Sequence, residues 1–114
     1  MSNCSMTPRF GEVVLIRMQF HQAAGAKVRP ALVLLDTGDD DFVAAPIRPQ
    51  ARHSDYDLVI KDWRFAGLNV PSYVRVHKRT VLAKVDIASS LAQLSESDHE
   101  ALVTLLCRAY CRKT

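Results

Sequence analysis

The sequence lacks the features of several large classes of protein. No apolar run in its 114 residues approaches the roughly 20 residues that a membrane-spanning helix needs. Residues 1–8 do not combine a basic patch, an apolar segment and a cleavage site, so they do not indicate a secretory signal. We therefore expect a cytoplasmic protein that does not enter a membrane.

Cysteine is scarce, since the chain has only Cys4, Cys107 and Cys111 and no Cys-x-x-Cys pair. This odd number does not support a disulfide framework or a structural zinc site. Cys107 and Cys111 would share one face of a helix and could hold a metal together with His99 or His77. The alternative is that they are small apolar side chains of the core. We expect no metal and no cofactor.

No internal repeat or second domain is indicated, because 114 residues suit one domain. We expect a flexible N-terminal arm over residues 1–8 and a single domain over 9–114. The net charge of +3 is modest, but acidic residues crowd one turn at 36–41 and basic residues gather at 48–53 and 75–84. Such clustering predicts an anion-attracting face, or it only aids solubility.

Short apolar and β-branched runs predict strands over 11–18, 31–35, 42–47, 57–60, 73–77 and 80–85. Residues 21–29 and 48–54 are interpreted as exposed loops, and 36–40 as a hairpin turn. Ser95 and Asp98 fit a capping box, and an apolar stripe at Leu102, Leu105 and Leu106 predicts a terminal helix. The pattern predicts a mainly β fold with a C-terminal helix, a small antiparallel barrel that brings the two basic loops together.

Two short stretches carry candidate functional residues. Pro30 restricts Arg29 to an extended backbone, so its guanidinium would be held at a strand entrance, although a solvated arginine is the simpler alternative. In the stretch 73–77, strand alternation places Tyr73, Arg75 and His77 on one surface. That surface would contact a ligand, or it is an ordinary half-exposed strand.

Three groups of motifs, in this order, resemble the MazF/PemK family of toxins from bacterial toxin–antitoxin modules. They are 11–15 (GEVVL), then 29–34 (RPALVL) with 45–47 (API), and then 71–76 (PSYVRV) with 79–81 (RTV) and 94–98 (LSESD). The resemblance covers about residues 9–110. It implies an SH3-like barrel of the MazF/CcdB type, a homodimer, a cognate antitoxin as partner, and metal-independent cleavage of single-stranded RNA.

The resemblance also assigns site residues. Arg29 stands where the family has one of its two main catalytic residues, but Arg48 replaces the threonine or serine that follows Pro-Ile. Attack of a 2′-hydroxyl on phosphate needs a proton acceptor, a proton donor and positive charge, and arginines hold their protons tightly. His53 or His77 is therefore the candidate proton carrier beside Arg29. The candidate nucleic-acid contacts are Lys27, Arg29, Arg48, Arg52, Ser54 and Arg75.

Alternative functions remain open at this point. Loss of the hydroxyl favours a catalytically impaired protein of the same fold that binds nucleic acid or a protein partner without cleavage. A gyrase poison is a third possibility, although the chain does not end in the aromatic and glycine residues typical of that branch. Trp63, Phe65 and Tyr73 are candidate anchors of a dimer or partner interface, and the alternative for Trp63 is that it covers the core.

Overall fold

The computed structural model of the chain describes residues 7–19, 26–50 and 54–111. It contains seven strands and one helix, in the order β1 (Glu12–Gln19), β2 (Ala26–Asp36), β3 (Asp41–Arg48), β4 (Asp57–Ile60), β5 (Ser72–Arg75), β6 (Thr80–Ala83), β7 (Ile87–Gln93) and α1 (Glu96–Tyr110). Short 3-10 helices follow β5 at Val76–Lys78 and β6 at Lys84–Asp86. No helix in these ranges is long and apolar enough to cross a membrane. The predicted mainly β fold with a C-terminal helix is confirmed.

All strand pairs are antiparallel, and the sheet order is β4-β5-β3-β2-β1-β7 with β6 added to β3. One edge of β3 is shared by two partners, because Asp41–Ala44 pair with β6 whereas Ile47 and Arg48 pair with β5. The predicted barrel is not fully closed, since β4 and β7 are not paired with each other in the described part of the chain.

Both faces of the central strands are buried, and each face contributes to a separate core. On β1, Val13 belongs to the core beneath α1, whereas its neighbour Val14 belongs to the opposite core. Leu32 and Val33 divide in the same way on β2. The cause is strand alternation, which sends successive side chains to opposite faces. Nearly continuous apolar runs are therefore expected in β1 and β2, as the sequence has them.

The terminal helix is held by two polar contacts at its N-terminus. The Ser95 hydroxyl accepts a hydrogen bond from the Asp98 backbone N–H, which confirms the predicted N-cap. The Asp98 carboxylate is buried and accepts bonds from the N–H groups of Lys61 at 3.1 Å and Asp62 at 2.8 Å. It therefore fastens the helix to the turn after β4, instead of only closing a capping box. Leu102 and Leu105 are buried, as predicted.

The structure corrects four predictions of local structure and adds one strand that was not predicted. Residues 26–29 belong to β2 and not to a loop, because they pair with β1. The strand predicted over 73–77 ends at Arg75, and the one predicted over 80–85 ends at Ala83. The strand β7 was not predicted, since its alanines and serines carry little β propensity and pairing with β1 decides its conformation. Cys107 and Cys111 are exposed instead of contributing to the core.

Candidate nucleic-acid cleft

A cleft of about 830 Å³ opens on one side of the sheet, where β2 and β3 separate. Ala31 with Pro46 is the outermost pair of the β2–β3 ladder, and beyond it the two strands are no longer paired. Apolar side chains of the core shared by β1, β2 and β3 form its floor, namely Ile16, Met18, Ala31, Ala44 and Leu82. The cleft is therefore an opening over the hydrophobic core with the strand ends at its rim.

Four cations line this cleft, and its described lining residues include no Asp or Glu. They are Lys27, Arg29, Arg48 and Lys78. Lys27 and Arg29 are positioned by β2, where they pair with Met18 and Ile16 of β1. The backbone of Arg48 pairs with Tyr73 of β5. Rigid strands thus place positive charge around an apolar floor, which favours a ligand with anionic groups and flat apolar parts.

The prediction that the two basic segments approach each other holds for their described residues. Lys27 and Arg29 from one segment line the same cleft as Arg48, Pro49 and Gln50 from the other. Arg52 and His53 lie outside the described residues. Their proposed roles in binding and in proton transfer stay predictions.

Three of the predicted site residues do not line the cleft. The Ser54 hydroxyl accepts a bond from the Tyr56 N–H at 3.1 Å, within its own turn. The Arg75 Nε lies 3.8 Å from Asp57 Oδ1, an ion pair too long for a direct hydrogen bond, on adjacent strands. His77 is part of the 3-10 helix, with its ring centroid 5.5 Å from that of Tyr56. The predicted shared surface of Tyr73, Arg75 and His77 therefore does not extend into the cleft.

Sequence reasoning assigned no role to five polar residues that line the cleft, namely Gln50, Asn69, Ser72, Lys78 and Thr80. Lys78 was counted among the clustered cations but was given no role. The family motif at 79–81 includes Thr80, but the motif alone does not predict that this residue lines the cleft. The Ser72 hydroxyl, the second in the described lining after that of Thr80, donates to the Val70 carbonyl oxygen at 2.8 Å.

The aromatic anchors differ in exposure. Trp63 is half-buried and packs against the core beneath α1, with the Arg64 guanidinium 4.7 Å from its ring centroid, so it covers the core. Phe65 is 65% exposed and Tyr73 is half-buried. Of the three candidate anchors, Phe65 is the exposed one, as aromatic side chains at interfaces are before binding.

Metal-ligating side chains do not gather in the described ranges, where no group of three His, Cys, Asp or Glu residues could hold an ion. Cys107 and Cys111 lie one helical turn apart, and a hydrogen bond with Cys107, which favours the neutral Cys111 thiol, raises the pKa of Cys111. Neither cysteine lines the cleft.

A family described as PemK-like, MazF-like toxin of type II toxin–antitoxin system matches residues 9–110 of this sequence. The chain belongs to this family. No curated protein matches it in sequence. The family match covers nearly the whole domain, including every cleft residue, and confirms the resemblance found in the motifs.

Solved structures of MazF toxins share the fold. The Mycobacterium tuberculosis toxin MazF-mt6 is 21% identical, with a TM-score of 0.68 over 89% of this chain and 99% of that chain. A MazE–MazF structure from Deinococcus radiodurans is 20% identical, with a TM-score of 0.72 over 94% and 99%. An endoribonuclease in complex with its cognate antitoxin, from a mycobacterial species, is 16% identical, with a TM-score of 0.67 over 94% and 98%. At these identities the likeness shows the MazF fold alone.

Proposed function

We propose that this MazF/PemK family member is the toxin of a type II toxin–antitoxin module and a metal-independent endoribonuclease that cleaves single-stranded RNA. The observation that carries the proposal is the cleft with four lining cations, no described lining carboxylate and an apolar floor. Phosphates would contact the rim, and unstacked bases would lie on the floor. A cytoplasmic location follows from this substrate.

The reaction would be transesterification within the RNA. The 2′-oxygen attacks the adjacent phosphorus, the bond to the 5′-oxygen breaks, and the products end in a 2′,3′-cyclic phosphate and a 5′-hydroxyl. Arg29 and Arg48 would stabilise the charge that develops on the phosphate oxygens. One proton leaves the 2′-hydroxyl and one must reach the 5′-oxygen, and these transfers need a group other than arginine.

We assign the proton transfers to His53. His77 is the less suitable of the two candidates, because it packs against Tyr56 and is not among the cleft-lining residues. His53 follows the cleft-lining residue Gln50 by only three positions in the chain. A histidine titrates near neutral pH and can both accept and donate a proton.

The partners proposed for this chain are a second copy of itself and a cognate antitoxin. Solved relatives include an endoribonuclease with its cognate antitoxin and MazE–MazF structures, which supports the second partner. An antitoxin with an acidic segment would neutralise the same cations that bind RNA. Analytical ultracentrifugation of the purified protein tests the homodimer.

The deciding experiment incubates the purified protein with a single-stranded RNA in excess chelator, beside the same strand with 2′-O-methyl groups throughout. We expect cleavage of the RNA to 2′,3′-cyclic phosphate ends and no cleavage of the methylated strand. Binding of both strands without cleavage would instead favour the second candidate, a non-cleaving nucleic-acid binder, which Arg48 at the expected hydroxyl position supports. Absence of both binding and cleavage would overturn both candidates.

A further inference from the structure

Lys78 and Thr80 also line the cleft, and they reach it from the edge of β3 that pairs with β6. Lys78 is the last residue of the 3-10 helix and Thr80 is the first residue of β6. Both residues are exposed. Neither side chain has a role in the proposed cleavage step, so their presence at the cleft calls for a separate explanation.

Strand register shows that Thr80 and Arg48 occupy different levels of the cleft. Thr80 pairs with Ala44 of β3, and directly paired residues project to the same face of a sheet. Arg48 is four residues further along β3 and returns to that face by alternation. At a rise of about 3.3 Å per residue, the two levels are about 13 Å apart along the strand. Thr80 and Arg48 therefore lie at different positions along the cleft.

Lys78 and its neighbour Arg79 differ in what their side chains contact. The Arg79 guanidinium lies 4.6 Å from the ring centroid of Tyr110 on α1, and Arg79 is not a cleft residue. Lys78 lines the cleft, and no carboxylate in the described ranges forms an ion pair with it. Lys78 thus contributes positive charge to the cleft, whereas the Arg79 guanidinium contacts an aromatic ring.

We propose that Lys78 and Thr80 bind a second phosphate of the RNA, at a distance from the phosphate that Arg29 and Arg48 would hold. The Lys78 ammonium supplies a point charge, and the Thr80 hydroxyl donates a hydrogen bond to a phosphate oxygen. This assignment rests on the proposed function, because its ligand is single-stranded RNA. The proposal predicts that the protein contacts a longer stretch of the RNA than the cleavage site alone, because the RNA would be bound at two places along the cleft.

The test measures the affinity of the full-length protein for a single-stranded 2′-O-methyl oligonucleotide, which cannot be cleaved, at several salt concentrations. For single strands, each neutralised phosphate contributes about 0.7 to the slope of log affinity against log salt concentration. We expect Lys78→Met to lower the magnitude of the slope by about 0.7. Arg79→Met removes the same charge one residue away and should leave the slope unchanged.

Two further variants separate this phosphate from the first. Thr80→Val removes only an uncharged donor, so we expect about fivefold weaker binding with an unchanged slope. Lys78→Met added to Arg48→Met should lower the slope by a further 0.7 or so, since the two cations act on different phosphates. Circular dichroism spectra confirm that each variant is folded.

The possible outcomes distinguish this assignment from the proposed function. A parent protein that does not bind the oligonucleotide overturns both. A parent that binds, with Lys78→Met keeping the parent's slope, overturns the second phosphate site alone. A double variant with no lower slope than Arg48→Met alone shows that Lys78 and Arg48 share one phosphate and also overturns it.

Discussion

Arg29 on β2 and Arg48 at the end of β3 lie at equivalent positions of two neighbouring antiparallel strands. Each is two residues beyond the outermost pair of the ladder, Ala31 with Pro46, and both line the same cleft. Residues at equivalent positions project to the same face. Two guanidinium groups at one level of the rim create a strongly positive site that suits the geometry of a phosphate.

The first prediction concerns Arg29, the proposed catalytic arginine. Arg29→Met should lower the rate constant of RNA cleavage by about 100-fold or more, because it removes charge stabilisation from the transition state. Single-turnover cleavage of a labelled RNA measures this rate. Arg17→Met is the matched control, since Arg17 is an exposed strand arginine on β1 that does not line the cleft. Equal rates for the two variants would contradict the role of Arg29.

The second prediction separates the two histidines. His53→Asn should lower the cleavage rate by about 100-fold or more and remove the near-neutral limb of its pH profile, because general acid–base catalysis is lost. His77→Asn should keep both the rate and the pH profile, because His77 contacts Tyr56 outside the cleft. The measurement is the single-turnover rate between about pH 5 and 9. The reverse result would place the proton carrier on the 3-10 helix.

The third prediction concerns the attachment of the helix. Asp98→Ala leaves the N–H groups of Lys61 and Asp62 without their acceptor in a partly buried setting and should lower the free energy of unfolding by about 3 kcal/mol. Urea denaturation measures this change. Glu96→Ala removes an exposed acid from the same helical turn and should cost at most about 1 kcal/mol. Similar losses for both variants would mean that helix-dipole effects dominate.

The fourth prediction compares two glycines with the same backbone angle. Gly67 and Gly38 have φ of 85° and 83°, but a Cβ at Gly67 would lie 2.9 Å from the Leu91 Cβ, whereas a Cβ at Gly38 would contact nothing within 4 Å. Gly38→Ala should cost about 1 kcal/mol from the backbone alone. Gly67→Ala should cost about 2 to 4 kcal/mol, because overpacking adds to that strain. Equal losses in urea denaturation would show that Leu91 moves aside freely.

The fifth prediction concerns pH and the ion pair between β2 and the second 3-10 helix. Lys84 Nζ lies 2.7 Å from Asp36 Oδ1, and this bond holds the pKa of Asp36 below its ordinary value of 3.8. A depressed carboxyl pKa stabilises the fold above about pH 4, and the contribution disappears as pH falls through the folded-state pKa. Lys84→Met should raise the pKa of Asp36, measured by NMR titration of its side-chain carboxyl.

Asp39 is the internal control for that titration. Its pKa is lowered mainly by the Thr37 hydroxyl, and the charge of Lys84 is its weakest cause. We therefore expect Lys84→Met to raise the pKa of Asp39 less than that of Asp36. An Asp36 pKa that does not rise in the variant would contradict the ion pair as its cause.

The helix and the β2–β3 hairpin were predicted correctly, because each has a distinctive local sequence pattern. Ser95 at the N-cap and the leucine stripe defined α1, and the Asp- and Gly-rich turn after Leu35 defined the β2–β3 hairpin. The approach of the segment containing Arg29 to a second cationic segment was also predicted, because loops at one end of a small antiparallel barrel lie close together. The 3-10 helix containing His77 was not, since strand alternation over Tyr73 to Val76 continues into it without a break.

The sequence by itself determined the family, the mainly β fold and the terminal helix, because motif order, periodicity and capping are all local along the chain. Only the tertiary structure decided which polar residues share the cleft. Lys78 and Thr80 join it and His77 does not, because β3 divides one edge between β5 and β6. That division depends on pairings between residues 25 or more positions apart, and no local pattern encodes it.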